Sequence, residues 1–426
     1  MTKVCIINAV GLTPNLLKHA PRISTLGTVS PLRSPIPAVT CTSQATLLTG
    51  KAPAEHGIVG NGWYYRDTQE IRFWQQANSL ISGGKFYEGV ETAKMFWWFN
   101  QSAPVKYSAT PKPHYGCDGS KVFDILDQTG CALVQKLGPF PFFTFWGPNA
   151  GLPCSDWIAK ATALVMRNHK PQVTMTYLPH LDYDFQRFPE QDPKRVAELD
   201  ACAGQVIEAA EDINAKVVVI SEYGLVPVSR PIHINRHLRE MGLLRVRSGP
   251  FGEMMLPGDS EAFAVSDHQI AHIYVKDISR IDLVAKALQS IPGVARIARP
   301  IELELNHPRS GELIALSEPD AWFTYYYWLD NQFAPDFAKT VDIHRKPGYD
   351  PCELFMTSRF KAISRLAQKK AGLRYKMDVI PLNAELVRGS HGLQNQPEEG
   401  PLIVGPGELP SDMKEFHAYC RGLLNS

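Results

Sequence analysis

Residues 37–61 read PAVTCTSQATLLTGKAPAEHGIVGN. Thr40, Thr42, Ser43, Thr46 and Thr49 crowd hydroxyls into ten positions, and the stretch closes on Asn61 after two glycines. The spacing predicts a short helix beginning near Thr40. A hydroxyl residue there has an ordinary use, capping free backbone N–H groups. It also has a chemical one. A helix N-terminus gathers backbone donors and partial positive charge, a natural anion site. A hydroxyl fixed there can attack phosphorus while the N–H groups hold the non-bridging oxygens. Asn61 can add a side-chain amide to the same oxygens.

The segments around this helix set the fold class. Val4–Val10 is apolar except for Asn8, and QVTMTYL (172–178) and KVVVIS (216–221) repeat the pattern of a strand covered on both faces. Between the last two, Val196, Leu199, Ala203, Val206, Ala210 and Ile213 recur at helical spacing after Asp192-Pro193. Strand, helix, strand predicts a right-handed crossover and a mainly parallel α/β sheet with helices on both faces. Ligand sites in such sheets lie beyond the carboxyl ends of the strands. Those ends carry Val10-Gly11-Leu12, Pro179–Asp182 and Glu222-Tyr223-Gly224.

The chain has 426 residues, 44% hydrophobic and 20% charged, enough for a normal core. A formal net charge of +1 gives no global field to recruit a nucleic-acid polymer. No segment approaches the roughly 20 apolar residues of a membrane span. The eight cysteines are scattered with no CxxC pair, which fits reduced thiols and a cytoplasmic protein. We expect one catalytic domain over residues 1–400 and a C-terminal tail over 401–426. Within the domain, an aromatic, Gly/Pro-rich excursion at about 62–153 covers the sheet edge. A small cap lies at about 245–310.

Thr40–Gly50 followed by Glu55–Asn61 resembles the nucleophile segment of the type I phosphodiesterase/nucleotide pyrophosphatase family, within the alkaline phosphatase superfamily. Met95-Phe96-Trp97-Trp98 and IHINRHLREMGLL (232–244) resemble further family segments. Arg309–Leu313 and Arg388–Gly392 are similar to the C-terminal part of phosphonoacetate hydrolases. The resemblance implies an alkaline-phosphatase-like fold and a metal-dependent hydrolase of a phosphodiester, nucleotide pyrophosphate or phosphonate. It makes Thr40 the nucleophile and Asn61 the oxyanion ligand. A threonine hydroxyl is a poor nucleophile, and a metal that lowers its pKa makes the reaction practicable.

The family holds two divalent ions, usually zinc, and this sequence departs from its ligand pattern. Asp182 and His391 match, and Glu222 is a conservative change. Gln186 and Tyr223 stand where histidines are expected, and Val10 where an aspartate is expected, with Asn8 two positions back. One or two ions are implied, with Mn²⁺ or Mg²⁺ as alternatives to zinc for an oxygen-rich set. His180 and Asp184 flank Asp182 and are further candidates, as are Asp342 and His344 in DIHRKPGYD (342–350). Trp63, Tyr64, Trp97, Trp98, Tyr223 and His268 are candidates for a substrate pocket. The expected partner is a small phosphorylated or phosphonylated molecule. The altered ligand set leaves a second reading open: an inactive relative that binds a phosphorylated metabolite or a partner.

Residues 359–376 hold seven basic residues and no acid, with Phe360, Ile363, Leu366 and Leu373 at helical spacing. Such a basic amphipathic stretch is either a solvated helix or a membrane-surface element.

Overall fold

The computed structural model describes residues 2–117, 120–188 and 190–426. Its centre is an eight-stranded sheet. Strand Lys3–Ala9 lies between Val173–Leu178 and Ala215–Ile220, parallel to both, and Thr92–Met95 and Tyr107–Pro111 continue the parallel run. Ile125–Asp127 closes one side antiparallel, and Leu402–Gly405 with Thr28–Pro31 closes the other. The sheet is therefore mixed but mainly parallel, as the three apolar runs predict.

Helix Pro193–Asp212 supplies the expected crossover. Pro193 sits in its first turn, and the Asp192 carboxylate accepts from Lys194 N–H. Its Val196, Leu199, Ala203, Val206 and Ala210 are buried. This helix packs on helix Leu152–His169, and helix Thr40–Thr49 packs on helix Phe416–Asn425. A second, four-stranded antiparallel sheet runs from 262 to 317, with helix Ile281–Gln289 beside it. It builds its own apolar core with Trp322, Phe323 and Tyr325–Trp328.

Two stretches carry more structure than their composition announces. Residues 62–153 contribute three strands to the central sheet. These are only three to five residues long, too short to show a period among Gly, Pro and aromatic residues. Residues 401–426 supply a sheet strand and a helix whose Phe416, Cys420 and Leu424 are buried. Among the described residues no helix is long and apolar enough to cross a membrane.

Parallel register assembles the site. Asn8 pairs with Tyr177 on one side and Ile220 on the other, so all three stand at the same level near the carboxyl ends. The chain then turns at Glu222-Tyr223-Gly224. A Cβ on Gly224 would lie 1.8 Å from the Glu399 carbonyl oxygen, so only glycine lets the C-terminal loop approach here.

Candidate active site

Thr40 is the first residue of helix Thr40–Thr49, whose ten residues are all buried. The extended residue before it, Val39, is the N-cap, and neither its side chain nor that of Thr40 caps the helix. The capping role of Thr40 is thus replaced by another. Its Oγ1 lies 3.0 Å from the Tyr223 hydroxyl, with Tyr177 and Glu222 nearby. The helix-end donor goes elsewhere: Cys41 N–H donates to Asn61 Oδ1 at 3.0 Å. Asn61 Nδ2 donates to Asp267 Oδ1 at 3.0 Å, and Asn61 N–H to Asp267 Oδ2 at 2.7 Å. Asn61 therefore ties the helix to the second sheet through Asp267.

Three of the other four hydroxyls of the opening stretch are satisfied by hydrogen bonds, and Thr42 Oγ1 has no partner among the described residues. Ser43 Oγ donates to the Glu222 carbonyl, Thr46 Oγ1 meets His56 Nε2 at 3.0 Å, and Thr49 Oγ1 donates to the Ala45 carbonyl.

Glu222 is buried, with Oε1 accepting from Asn8 Nδ2 and Gln44 Nε2, each at 2.5 Å. Asn8 is thus a structural donor. Gln44 was missed by sequence reasoning because a glutamine on a buried helix carries no motif. Burial pushes Glu222 up to about 8, against the pull of these hydrogen bonds. Asp182 is pushed up to about 7 by the same cause. Its Oδ2 accepts from Gln186 Nε2 at 2.8 Å, Oδ1 has no hydrogen-bond partner among the described residues, and the Tyr223 hydroxyl lies nearby. Gln186 Oε1 in turn accepts from the Tyr349 hydroxyl at 2.8 Å.

His391 Nδ1 donates to the Ala38 carbonyl at 2.7 Å, which fixes the tautomer and leaves Nε2 a lone pair. Nε2 faces Asp182 Oδ1 at 3.5 Å, beyond a good hydrogen bond. Burial pulls His391 down to about 3, so the ring is neutral. The ring stacks on Tyr223 (centroids 3.6 Å, planes 6° apart) and lies against His268 at 3.6 Å. His268 stacks on Tyr349 at 3.7 Å and adopts a left-handed φ of 61° in the turn between strands Ala262–Asp267 and Ile270–Val275. A column Tyr223–His391–His268–Tyr349 results. Tyr349 and Tyr177 had no sequence signal beyond their aromatic character.

The remaining candidates divide. Trp98 stays at the site: its backbone N–H donates to Gln44 Oε1 at 2.9 Å, and its side chain lies near Tyr177. Trp97 does not belong to a pocket; it is fully buried and its Nε1 donates to the Thr176 carbonyl. Tyr64 packs edge-on against Phe263 and Tyr274 in the second core. Trp63 is buried under Arg309, 4.9 Å from the ring centroid. Asp184 forms 2.7 Å ion pairs with Arg187 and Arg195, because two residues along a helix reverse the side-chain direction relative to Asp182. His180 is buried beside Asp184 and Arg195. Asp342 lies near Lys121 and Arg345, and His344 Nδ1 lies 3.4 Å from the Phe73 carbonyl. These four therefore stand apart from the Asp182–His391 pair.

The pair of ions implied by the resemblance does not fit this donor set. Among the described residues no three His, Cys, Asp or Glu side chains converge as a cation seat. Gln186 is consumed between Asp182 and Tyr349, Tyr223 offers a neutral phenol, and Val10 offers nothing. Only the unpartnered Asp182 Oδ1 and the His391 Nε2 lone pair face each other, two ligands where a catalytic zinc takes about three from protein. Thr40 itself is 4% exposed.

The profile of the type I phosphodiesterase/nucleotide pyrophosphatase family matches residues 4–350. An uncharacterised pyrophosphatase/phosphodiesterase of Schizosaccharomyces pombe is 23% identical over 229 residues, 51% of this chain and 42% of that protein. Ectonucleotide pyrophosphatase/phosphodiesterase 1 of Saccharomyces cerevisiae is 22% identical over 46% of this chain and 29% of its own length. The match thus spans less than half of either curated relative. Among solved structures, phosphonoacetate hydrolase from Sinorhizobium meliloti 1021 in complex with phosphonoacetate superposes with a TM-score of 0.63 at 15% identity, covering 99% of this chain and 96% of that one. Murine ectonucleotide pyrophosphatase/phosphodiesterase 5 superposes at 0.59 and 14% identity, covering 100% and 95%. An inactive threonine-to-alanine form of the murine protein is in complex with AMP. These likenesses show the fold.

Proposed function

The chain belongs to the type I phosphodiesterase/nucleotide pyrophosphatase family, and from that premise we propose that it hydrolyses a phosphodiester, nucleotide pyrophosphate or phosphonate with Thr40 as the nucleophile. The observation that carries the reading is the contact of Thr40 Oγ1 with the Tyr223 hydroxyl at 3.0 Å, at the buried end of a helix. Thr40 is relieved of capping duty there and is aimed at groups that can take its proton.

In the first step Thr40 oxygen bonds to phosphorus as the bond to the leaving group breaks. The Thr40 proton passes to the Tyr223 oxygen while the Tyr223 proton passes to the Asp182 carboxylate. Water then attacks the phospho-threonine, and the protons return along the same path. Asp182, pushed up to about 7 by burial, is matched to accept and release a proton near neutrality. The stack on His391 holds the phenol in line. The Thr-to-Ala murine relative, inactive and bound to AMP, is consistent with a threonine essential for turnover and dispensable for binding.

A second reading rests on a specific observation. The altered ligand positions and the covered Thr40 favour a protein that binds a phosphorylated metabolite without turning it over. One experiment separates the two. Hydrolysis of an aryl phosphodiester is measured for wild type and Thr40→Ala, without and with added Zn²⁺, Mn²⁺ or Mg²⁺. Turnover abolished by Thr40→Ala supports the hydrolase. No turnover under any condition, with nucleotide binding retained in calorimetry, supports the binding protein.

A further inference from the structure

Helix Arg359–Lys370 buries none of its residues, and its amphipathicity is turned inside out. The side facing the body is polar. Lys361 Nζ donates to the Asp378 carbonyl at 2.6 Å, and Arg365 pairs with the Asp378 carboxylate at 2.8 Å. The apolar side faces outward. Phe360 is 81% exposed, Ile363 63% and Leu366 54%, and Leu373 just beyond the helix is 61% exposed. A helix that only needed solubility would present the opposite faces. Large apolar residues aligned outward at steps of three residues form a patch, whereas scattered ones need no explanation.

Charge selects what covers the patch. Residues 359–377 hold no carboxylate. Among the described residues, Arg359, Lys369, Lys370 and Arg374 have no ion-pair partner. Arg359 and Lys370 fall on the same side of the helical wheel as Phe360, Ile363 and Leu366. An apolar stripe threaded with free cations complements a surface that is apolar inside and anionic at its rim.

We infer that helix Arg359–Lys370 and the segment after it dock on the surface of an anionic lipid membrane. The stripe enters the acyl boundary, and the cations meet the headgroups. Twelve residues make the helix far too short to span a bilayer, so it lies in the interface. The proposal is independent of the reaction at Thr40.

The test is flotation of the full-length chain with vesicles of phosphatidylcholine alone and with about one third phosphatidylserine. We expect flotation with the anionic vesicles and little with the neutral ones. Ile363→Glu with Leu366→Glu should abolish it. Lys369→Gln with Lys370→Gln should weaken it by roughly fivefold per lysine. These positions are exposed, so circular dichroism and melting should match wild type. The proposal is overturned if the protein floats with neither vesicle, floats equally with both, or floats as well when the stripe carries glutamates. A concentration-dependent dimer that disappears in the same glutamate variant would assign the stripe to a second copy of the chain and would also overturn it.

Discussion

The Tyr223 ring lies flat on the His391 imidazole, with centroids 3.6 Å apart and planes within 6°. One comes from the end of a central strand and the other from a loop near the C-terminus. Their stack places a phenol hydroxyl 3.0 Å from the Thr40 oxygen. The family pattern expects a histidine in the tyrosine's position.

Removal of the Thr40 hydroxyl should separate chemistry from stability. Thr40→Ala should lose at least about a hundredfold in kcat, while Thr40→Ser retains measurable turnover. Loss of one buried hydrogen bond should cost the folded state only about 1 kcal/mol. Initial rates on an aryl phosphodiester and urea melts of all three proteins check both parts. Equal rates in wild type and Thr40→Ala would end the nucleophile proposal.

Tyr223→Phe should lower kcat with little change in KM, because the ring stack survives and only the hydroxyl that meets Thr40 and lies near Asp182 is lost. General acid–base contributions are typically about a hundredfold or more. A change confined to KM would mean that the phenol holds substrate and takes no part in proton transfer.

Cation affinity should rise when the missing donors return. Gln186 Nε2 lies 2.8 Å from Asp182 Oδ2, so an imidazole at that position would stand beside the Asp182–His391 pair. Gln186→His is expected to bind Zn²⁺ at least about tenfold more tightly than wild type by completing three protein ligands. Calorimetric titration with zinc and metal analysis after dialysis check this. Stoichiometric zinc in dialysed wild type would show that the present donors suffice.

Acid should destabilise the fold through two neutral histidines away from the Thr40 network. His56 Nε2 meets Thr46 Oγ1 and its Nδ1 accepts from Ile58 N–H. His272 Nε2 donates to the Val59 carbonyl and its Nδ1 accepts from Gly311 N–H. Burial, the leading cause, pulls them down to about 3 and about 4. The unfolded chain therefore binds more protons than the folded one below about pH 6.5, and stability rises with pH. The contribution is complete above about 6.5 and is lost as pH falls toward 4 and 3, on the order of a few kcal/mol per histidine. Denaturant midpoints from pH 7 down to pH 4 should fall more steeply for wild type than for His56→Gln. Parallel slopes would contradict the assignment.

Lys346 should be the most sensitive charged residue outside the site. It is buried, and Nζ lies 2.7 Å from both Asp350 and Glu353. Glu353 also accepts from Trp146 Nε1 at 2.6 Å and from Asp342 N–H at 2.9 Å, so the cluster pins the loop that carries Tyr349. Lys346→Met leaves two buried carboxylates without a cation and should cost about 3–5 kcal/mol. A change below about 1 kcal/mol in urea unfolding would show that the loop rearranges to hydrate them.

The amino-acid sequence alone determined the parallel core, because a strand covered on both faces must be a continuous apolar run and its crossover helix must repeat every three or four residues. Val4–Val10, 172–178 and 216–221 show the first, and Val196–Ile213 the second. It also placed Thr40 at the start of a helix. What that hydroxyl touches was decided only in three dimensions. Tyr223 sits 183 residues from Thr40 along the chain. Gln186, Tyr349, Asn61 and Asp267 acquire their roles only when the strand ends and the second sheet converge. A side chain's partner in a buried network depends on which atoms compete for it across the fold, and neither periodicity nor motif spacing records that competition.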